Sequence, residues 1–127
     1  MSYEALLIAL CVWREARGEI YEAKVAVSWC IRNRASKPGW WGTDIYSVIT
    51  KPFQFSSFNA GDPNSTKFPA PDDAAWRDCL KTNSEVLDPT NGATYYFDRS
   101  LDGNPPRWAA SMEHVANIGN LRFFKSA

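Results

Sequence analysis

The sequence has little of what several enzyme classes require. It holds a single histidine, His114, which excludes a metal site built on two histidines and leaves a Ser-His or Cys-His mechanism one candidate base. Fourteen basic residues balance fourteen acidic ones, so no overall charge favours nucleic acid or an anionic membrane surface. No run reaches the roughly 18 to 20 apolar residues of a membrane span. We therefore expect no nucleic-acid partner and no membrane insertion.

Cysteine is also scarce. Cys11, Cys30 and Cys79 cannot all pair within one chain, show no CxxC spacing and lie in apolar, helix-like contexts. This pattern predicts three reduced core residues, although a single bridge from Cys30 to Cys11 or to Cys79 stays possible. A Cys-His amidase or peptidase would need a cysteine near a helix start, which none of them is. Ligands for zinc are too few, so we predict no metal and no organic cofactor.

An export signal is the third thing that the sequence lacks. Tyr3 and Glu4 stand where a signal peptide carries basic residues, and the following apolar run ends at Arg14 and Glu15 without a small-residue cleavage site. We expect a protein made in the cytoplasm without a signal peptide. If it acts outside the cell, another route must release it.

The amino-acid composition is typical of one globular domain. The chain has 127 residues, of which 45% are apolar and 22% charged, and this size favours a single domain over residues 1–127, expected as a monomer. Aromatic residues make up 14%. Such an excess fills a small core or lines a groove for flat, amphipathic ligands such as sugars.

Periodicity and turn signals predict a mostly helical α+β domain with a small antiparallel sheet. Gly18 is expected to end the first helix in a left-handed conformation, and Thr43 and Pro52 to bound the third. Residues 71–73 should open the fourth helix, with Trp76, Cys79, Leu80 and Leu87 as its buried stripe. The predicted helices are 3–17, 20–35, 43–50 and one from 71 onward. The predicted strands are 93–97 and 121–124, and we expect them to pair with each other.

A proline-rich segment, residues 51–70, interrupts this pattern. Four phenylalanines lie in it, Phe53, Phe55, Phe58 and Phe68. A loop of this length is uncommon in a small domain and is usually functional or disordered, and the aromatic residues argue against disorder. We interpret it as a packed loop that lines a substrate groove.

Glu15 has an unusual position for a carboxylate. Leu7, Cys11 and Glu15 are four residues apart, so Glu15 continues an apolar row at the end of the first helix. Burial and the negative end of the helix dipole both favour the neutral acid, which is the form that protonates a glycosidic oxygen. The alternative is that Glu15 turns outward and pairs with Arg14, Arg17 or Lys24.

A series of motifs then resembles a known family along almost the whole chain. In order, they are Glu15-Ala16-Arg17-Gly18-Glu19, Tyr21-Glu22 followed by Val25-Ala26-Val27 and Asn33-Arg34, Tyr46-Ser47-Val48-Ile49 with Phe53-Gln54-Phe55-Ser56, the ten residues 88–97, and Trp108 with Ile118-Gly119-Asn120. Together they resemble the bacterial cell-wall hydrolase family that includes the spore cortex-lytic enzymes. Leu121 stands where that family usually has a histidine, and no role passes to His114.

The resemblance implies a lysozyme-like fold and a substrate. The substrate would be the glycan strands of peptidoglycan, cut between N-acetylmuramic acid and N-acetylglucosamine, and Glu15 would be the catalytic acid. A catalytic domain with neither export signal nor wall-binding module looks like a phage or prophage endolysin, which a pore-forming partner releases.

A second carboxylate would decide the reaction. One lying ~5 Å or ~6.5 to 9.5 Å from the acid would allow hydrolysis; Glu19 and Glu22 are the nearest candidates, and Asp62 is another. Without one, the C6 hydroxyl of the muramic acid can attack and give a 1,6-anhydro product, as in a lytic transglycosylase. We favour this second outcome.

The candidate groove residues are polar and aromatic side chains, which are suited to binding sugars. Because Tyr95 and Tyr96 alternate along a strand, we expect only one of them, Tyr96, to face the groove. The full set of predicted substrate-binding residues is Gln54, Ser56, Asn59, Tyr96 and Trp108. An aromatic groove would also suit a non-catalytic glycan-binding module, which needs no buried acid.

Overall fold

The computed structural model describes residues 1–51 and 54–127. Pro52, predicted to close the third helix, and Phe53, which begins the Phe53–Ser56 motif, lie outside the described residues. The described part has four α-helices and one three-stranded antiparallel sheet, which confirms the predicted α+β class. In chain order they are α1 Tyr3–Ala16, α2 Tyr21–Ser36, α3 Ile45–Thr50, α4 Ala74–Lys81, β1 Tyr95–Asp98, β2 Met112–Ile118 and β3 Leu121–Ser126.

Helix α1 begins and ends with side-chain caps. The Ser2 hydroxyl accepts the Ala5 N–H at 3.1 Å. At the other end the Arg17 guanidinium donates to the carbonyls of Trp13 and Arg14, at 3.4 and 3.2 Å. The prediction of a left-handed Gly18 is wrong, because Gly18 does not have a positive φ. The arginine satisfies the terminal carbonyls that a glycine cap would otherwise serve.

Helix α2 forms the centre of the core, as its apolar run predicts. It is buried from Ala23 to Ser28 and again at Cys30 and Ile31. Helices α1, α3 and α4 pack on it, and Phe123 of β3 joins the same cluster. A helix that is buried on nearly all sides fixes the elements around it, and the site described below lies among these neighbours.

Helix α3 is capped by Asp44 rather than by the predicted Thr43. The Asp44 carboxylate accepts the Ser47 N–H at 2.8 Å, while the Ser47 hydroxyl accepts the Asp44 N–H at 3.1 Å. This reciprocal capping box satisfies two backbone donors at once, which Thr43, one residue too early, cannot do. The predicted inward face is confirmed, since Ile45, Val48 and Ile49 are buried.

Helix α4 is shorter than predicted. It begins at Ala74, after Asp73, whose carboxylate accepts the Trp76 N–H at 3.1 Å. Of the predicted stripe, Cys79 is buried and Trp76 and Leu80 are half-buried, but Leu87 is 82% exposed. Leu87 does not belong to the buried stripe, because the helix ends at Lys81 and is followed by a 3-10 turn, Thr82–Ser84.

The sheet has the order β1-β3-β2, so β3 is central. The predicted pairing of the two strands is confirmed, with Tyr96 opposite Phe123. Strand β2 was not predicted, because its side chains are half-buried or exposed and an irregularity between His114 and Ala116 breaks the register. It pairs with β3 through a two-residue turn that begins at Gly119, where φ is +58° and a Cβ would lie 2.7 Å from Glu19 Oε1.

Asp88 organises the turn that leads into β1. Its carboxylate accepts hydrogen bonds from the Thr90 N–H and hydroxyl, the Gly92 N–H and the Asn33 amide, at 2.8, 2.7, 2.9 and 2.9 Å. Burial alone would raise the pKa of Asp88, but these hydrogen bonds outweigh it and the pKa lies below the ordinary value. Because Asn33 belongs to α2, the carboxylate fastens the start of β1 to the central helix.

The lowered pKa of Asp88 predicts acid-sensitive stability. Its contribution is present above the ordinary pKa of about 3.9 and is lost as the pH falls through the folded-state value. We expect Asp88→Asn to lower the free energy of unfolding by about 2 kcal/mol at neutral pH, and the deficit to shrink below about pH 4. Urea unfolding across the pH range measures this. Asp72→Asn, on the exposed turn before α4, is the control, and a deficit independent of pH would refute the assignment.

Candidate active site

Glu15 is half-buried in the last turn of α1, and both of its carboxylate oxygens accept hydrogen bonds. The Ser57 N–H donates to Oε2 at 3.2 Å, and the Tyr96 hydroxyl donates to Oε1 at 3.3 Å. The alternative of an outward Glu15 paired with Arg14, Arg17 or Lys24 is wrong, since both guanidinium groups bind other acceptors and Lys24 pairs with Asp78. Three separate parts of the chain, the helix end, the 51–70 loop and β1, therefore meet at this carboxylate.

Arg14 holds the loop in place for this contact. Its Nε donates to the Lys67 carbonyl at 3.1 Å and its Nη1 to the Ser57 carbonyl at 3.5 Å. The guanidinium also lies over the rings of Phe58 and Phe68, 4.7 and 4.9 Å from their centroids. The predicted packed loop is thus organised around one buried arginine, which positions the Ser57 N–H next to Glu15.

Tyr96 brings the second donor from the sheet. Its half-buried ring packs on Phe123, with the centroids 5.7 Å apart. Burial and the nearby charge of Glu15 raise the pKa of Tyr96 well above its ordinary value, so its hydroxyl stays neutral and able to donate. Because Tyr96 lies on a strand, its hydroxyl donates to Glu15 from a fixed direction, which a bridging water would not do.

A cleft of about 500 Å³ lies beside this arrangement. Ring centroids of Tyr95 and Trp108 are 4.9 Å apart, and those of Trp40 and Tyr95 are 6.3 Å apart, so aromatic surfaces line much of it. Glu15 is linked to the cleft through Tyr96, which both lines it and donates to the carboxylate. The described lining residues are Arg34, Trp40, Gln54, Tyr95, Tyr96 and Trp108.

The predicted groove residues divide into two groups. Gln54, Tyr96 and Trp108 come together in the cleft. Ser56 is exposed and Asn59 half-buried in the adjoining 3-10 turn, where the Ser56 carbonyl accepts the Asn59 N–H at 2.9 Å, and neither is among the described lining residues. They form the turn that supports Ser57.

Tyr95 corrects the expectation that only one of the two tyrosines faces the groove. Both Tyr95 and Tyr96, neighbours on the edge strand β1, line the cleft. Sequence reasoning also missed Arg34 and the Ser57 N–H. The Asn33-Arg34 motif was a sequence signal for Arg34. The Ser57 N–H is a backbone donor, which almost any residue type supplies, so no signal in the sequence indicates it.

The possible second carboxylates have other partners or other surroundings. Glu19 accepts the N–H and the side-chain amide of Asn120, each at 2.9 Å, and so ties the start of α2 to the β2–β3 turn. Glu22 is exposed and lines a separate depression of about 180 Å³. Asp62 accepts the Asn64 N–H at 2.8 Å within a 3-10 turn. The structure gives none of these three a hydrogen bond to Glu15 or a place among the described cleft residues.

The cysteines and the histidine do not form a nucleophilic site. All three thiols are buried, and burial raises the pKa of each, that of Cys79 to about 12. A cysteine nucleophile requires the opposite shift. His114 lies on the exposed side of β2, where its Nε2 is 2.6 Å from Asn117 Oδ1. The Cys-His alternative therefore has no geometry to support it.

Among residues 1–51 and 54–127, no group of three or more His, Cys, Asp or Glu side chains is arranged to hold a metal ion. None of the helices formed by these residues combines the length and the apolar character needed to cross a bilayer.

Known proteins with the same fold include bacterial wall-degrading enzymes. The structure superposes on the catalytic domain of the germination-specific lytic transglycosylase SleB from Bacillus anthracis with a TM-score of 0.76 and 28% identity, covering 98% of this chain and 97% of that one. The catalytic domain of the Bacillus cereus SleB protein gives 0.74 and 28%, covering 96% and 89%.

Sequence comparison finds the same group. The chain is 36% identical over 119 residues to a spore cortex-lytic enzyme of Halalkalibacterium halodurans and 33% identical over 121 residues to that of Bacillus subtilis. These alignments cover 92% of this chain but only 33% and 36% of the relatives, so the chain spans about a third of their length.

The family model described as Cell Wall Hydrolase matches residues 18–124. The match begins after Glu15, so the assignment of that residue depends on the geometry given above. It includes the loop, the cleft residues, β1, β2 and β3 up to Phe124. The chain therefore belongs to the cell wall hydrolase family.

Proposed function

We propose that this chain cleaves the β-1,4 bond between N-acetylmuramic acid and N-acetylglucosamine in the glycan strands of peptidoglycan, with Glu15 as general acid and then general base. The observation that carries the proposal is the carboxylate held by Ser57 and Tyr96 beside an aromatic cleft. Family membership and the lytic activities named for the relatives support the same substrate.

The reaction needs one carboxyl group used twice. Protonated Glu15 gives its proton to the glycosidic oxygen, the bond from that oxygen to C1 of the muramic acid breaks, and C1 becomes oxocarbenium-like. The C6 hydroxyl oxygen of the same sugar then bonds to C1, and the Glu15 carboxylate takes the hydroxyl proton. The acid is regenerated, no water is consumed, and the product ends in 1,6-anhydromuramic acid.

The surroundings of Glu15 favour this lytic transglycosylase reaction over hydrolysis. Hydrolysis requires a second carboxylate opposite the acid, to act as nucleophile or to activate water. Among the described residues, the lining of the cleft includes no Asp or Glu, and Glu19 and Asp62 accept other hydrogen bonds. The two donors to Glu15 are uncharged groups that hold it in one orientation during both proton transfers.

The cleft offers contacts suited to amino sugars. Exposed Trp40 and half-buried Trp108 can stack on sugar rings, and the Gln54 amide can bond an N-acetyl group. Trp108 is itself held edge-on against Phe124, with centroids 5.4 Å apart, so its ring is in place before substrate binds. A fixed wall lowers the entropy cost of binding.

The biological setting stays a prediction. Release as a phage or prophage endolysin, the monomeric state and the absence of nucleic-acid binding rest on the sequence alone. They are independent of the chemistry at Glu15.

Replacement of Glu15 tests the proposal directly. Glu15→Gln keeps the shape and accepts hydrogen bonds but cannot exchange a proton, so we expect loss of activity by at least about 100-fold. The assay is the loss of turbidity of purified peptidoglycan together with release of soluble muropeptides. Glu4→Gln, on the exposed first turn of the same helix, should retain full activity.

Co-sedimentation with peptidoglycan separates an enzyme from a glycan-binding module. We expect Glu15→Gln to sediment with the wall material as the unmodified protein does, because the cleft is intact. Undiminished lysis by Glu15→Gln, or binding without lysis by the unmodified protein, would contradict the proposal.

Tyr96→Phe tests the orienting hydroxyl. The ring contact with Phe123 is kept while the donor to Glu15 is lost, so we expect kcat to fall by about 10- to 100-fold with a small change in KM. Muropeptide release rates measure both constants. The matched control is Tyr46→Phe at an exposed position of α3, and equal rates for the two variants would remove Tyr96 from the mechanism.

A further inference from the structure

Arg34 is a buried cation without a carboxylate partner. Only 5% of the residue is exposed. Its Nε donates to the Thr94 carbonyl at 2.6 Å, and its guanidinium lies over the rings of Tyr95 and Phe55, 4.8 and 5.3 Å from their centroids. Within residues 1–51 and 54–127 the ion pairs are those of Lys24, Arg122 and Lys125, and Arg34 takes part in none.

The hydrogen-bonding capacity of this guanidinium is not fully used. Nη1 is fully buried and has no hydrogen-bond partner among the described residues. Burial lowers the pKa of Arg34 below its ordinary value, yet an arginine in a protein keeps its charge at neutral pH. Buried charges and buried donors are normally paired, because an unpaired one has lost its hydration without compensation.

The position of Arg34 shows where a partner could come from. Arg34 lines the same cleft as Gln54, Tyr95 and Trp108, and it is the one charged side chain among the described lining residues. Aromatic rings cover the face of the guanidinium, which leaves its hydrogen-bonding edge for a planar acceptor. A positive charge in such a dry, aromatic wall attracts an anion more strongly than one in water would.

We propose that Arg34 recognises a carboxylate of the glycan strand, so that the cleft selects anionic muramic acid residues. The inference rests on the proposed function and adds to it a substrate preference. Peptidoglycan offers this group from two sources, the lactyl carboxylate of a muramic acid without peptide and the carboxylates of stem peptides. A carboxylate bound at the part of the guanidinium that lines the cleft would compensate this buried charge.

The test compares glycan strands that differ in charge only. Soluble strands are assayed before and after carbodiimide coupling to methylamine, which converts their carboxylates to neutral amides. We expect kcat/KM of the unmodified protein to fall by about 10- to 100-fold on neutralised strands, mainly through KM. Arg34→Gln should show that loss already on native strands and no further loss after coupling.

Two more arms identify the source of the carboxylate. Strands stripped of peptides by an amidase carry lactyl carboxylates alone, and coupling then neutralises just these. A charge effect that persists on stripped strands assigns the contact to the lactyl group, whereas an effect seen on peptide-bearing strands only assigns it to the stem peptide. Either result supports carboxylate recognition by Arg34.

Controls separate this inference from the proposed function. Arg77→Gln, at an exposed position of α4, should keep the full preference for native strands. Arg34→Lys keeps the positive charge but lacks the paired N–H donors of the guanidinium, so it should retain part of the preference for native strands.

If the unmodified protein cleaves native and neutralised strands equally well, Arg34 has no such role although the glycosidase activity stands. If it cleaves neither, the proposed function fails, and this inference with it. Should the Arg34 variants not fold, the comparison of strands with the unmodified protein decides alone.

Discussion

The two hydrogen bonds to the Glu15 carboxylate bring three separate parts of the chain together at one point. A helix end, a backbone N–H of the 51–70 loop and a side chain of an edge strand must all lie within hydrogen-bond reach of one group. Several polar side chains elsewhere in the structure hold these three parts in position. Arg14 fixes the loop, and Asp88 fastens the start of β1 to the central helix. Glu19 fixes the turn between the other two strands.

The residues of the short motif from Glu15 to Glu19 have different structural roles. Glu15 supplies the carboxylate of the site, Arg17 satisfies the last carbonyls of α1, and Glu19 accepts two hydrogen bonds from Asn120. Gly119, next to Asn120, has no room for a side chain against Glu19. Two motifs about a hundred residues apart in the sequence are therefore in direct contact in the structure.

The sequence allowed the helices and the inward position of Glu15 to be predicted, because their signals are local. The apolar run of α2 and the row from Leu7 to Glu15 follow directly from helical spacing. Strand β2 was missed because an exposed, irregular strand has no alternating pattern. Ser57 was missed because its contribution is a backbone N–H, and Arg34 because charged residues are rarely buried without a partner. These features depend on tertiary contacts that no single segment encodes.

The central claim is that one carboxyl group, without a second, performs both proton transfers. Its most direct test is mass spectrometry of the soluble muropeptides released from purified peptidoglycan in ¹⁸O-labelled water. The account predicts 1,6-anhydromuramic acid ends that contain no ¹⁸O, because the C6 hydroxyl of the sugar takes the place of water. Reducing muramic acid ends labelled with ¹⁸O would contradict it and would require a second group that activates water.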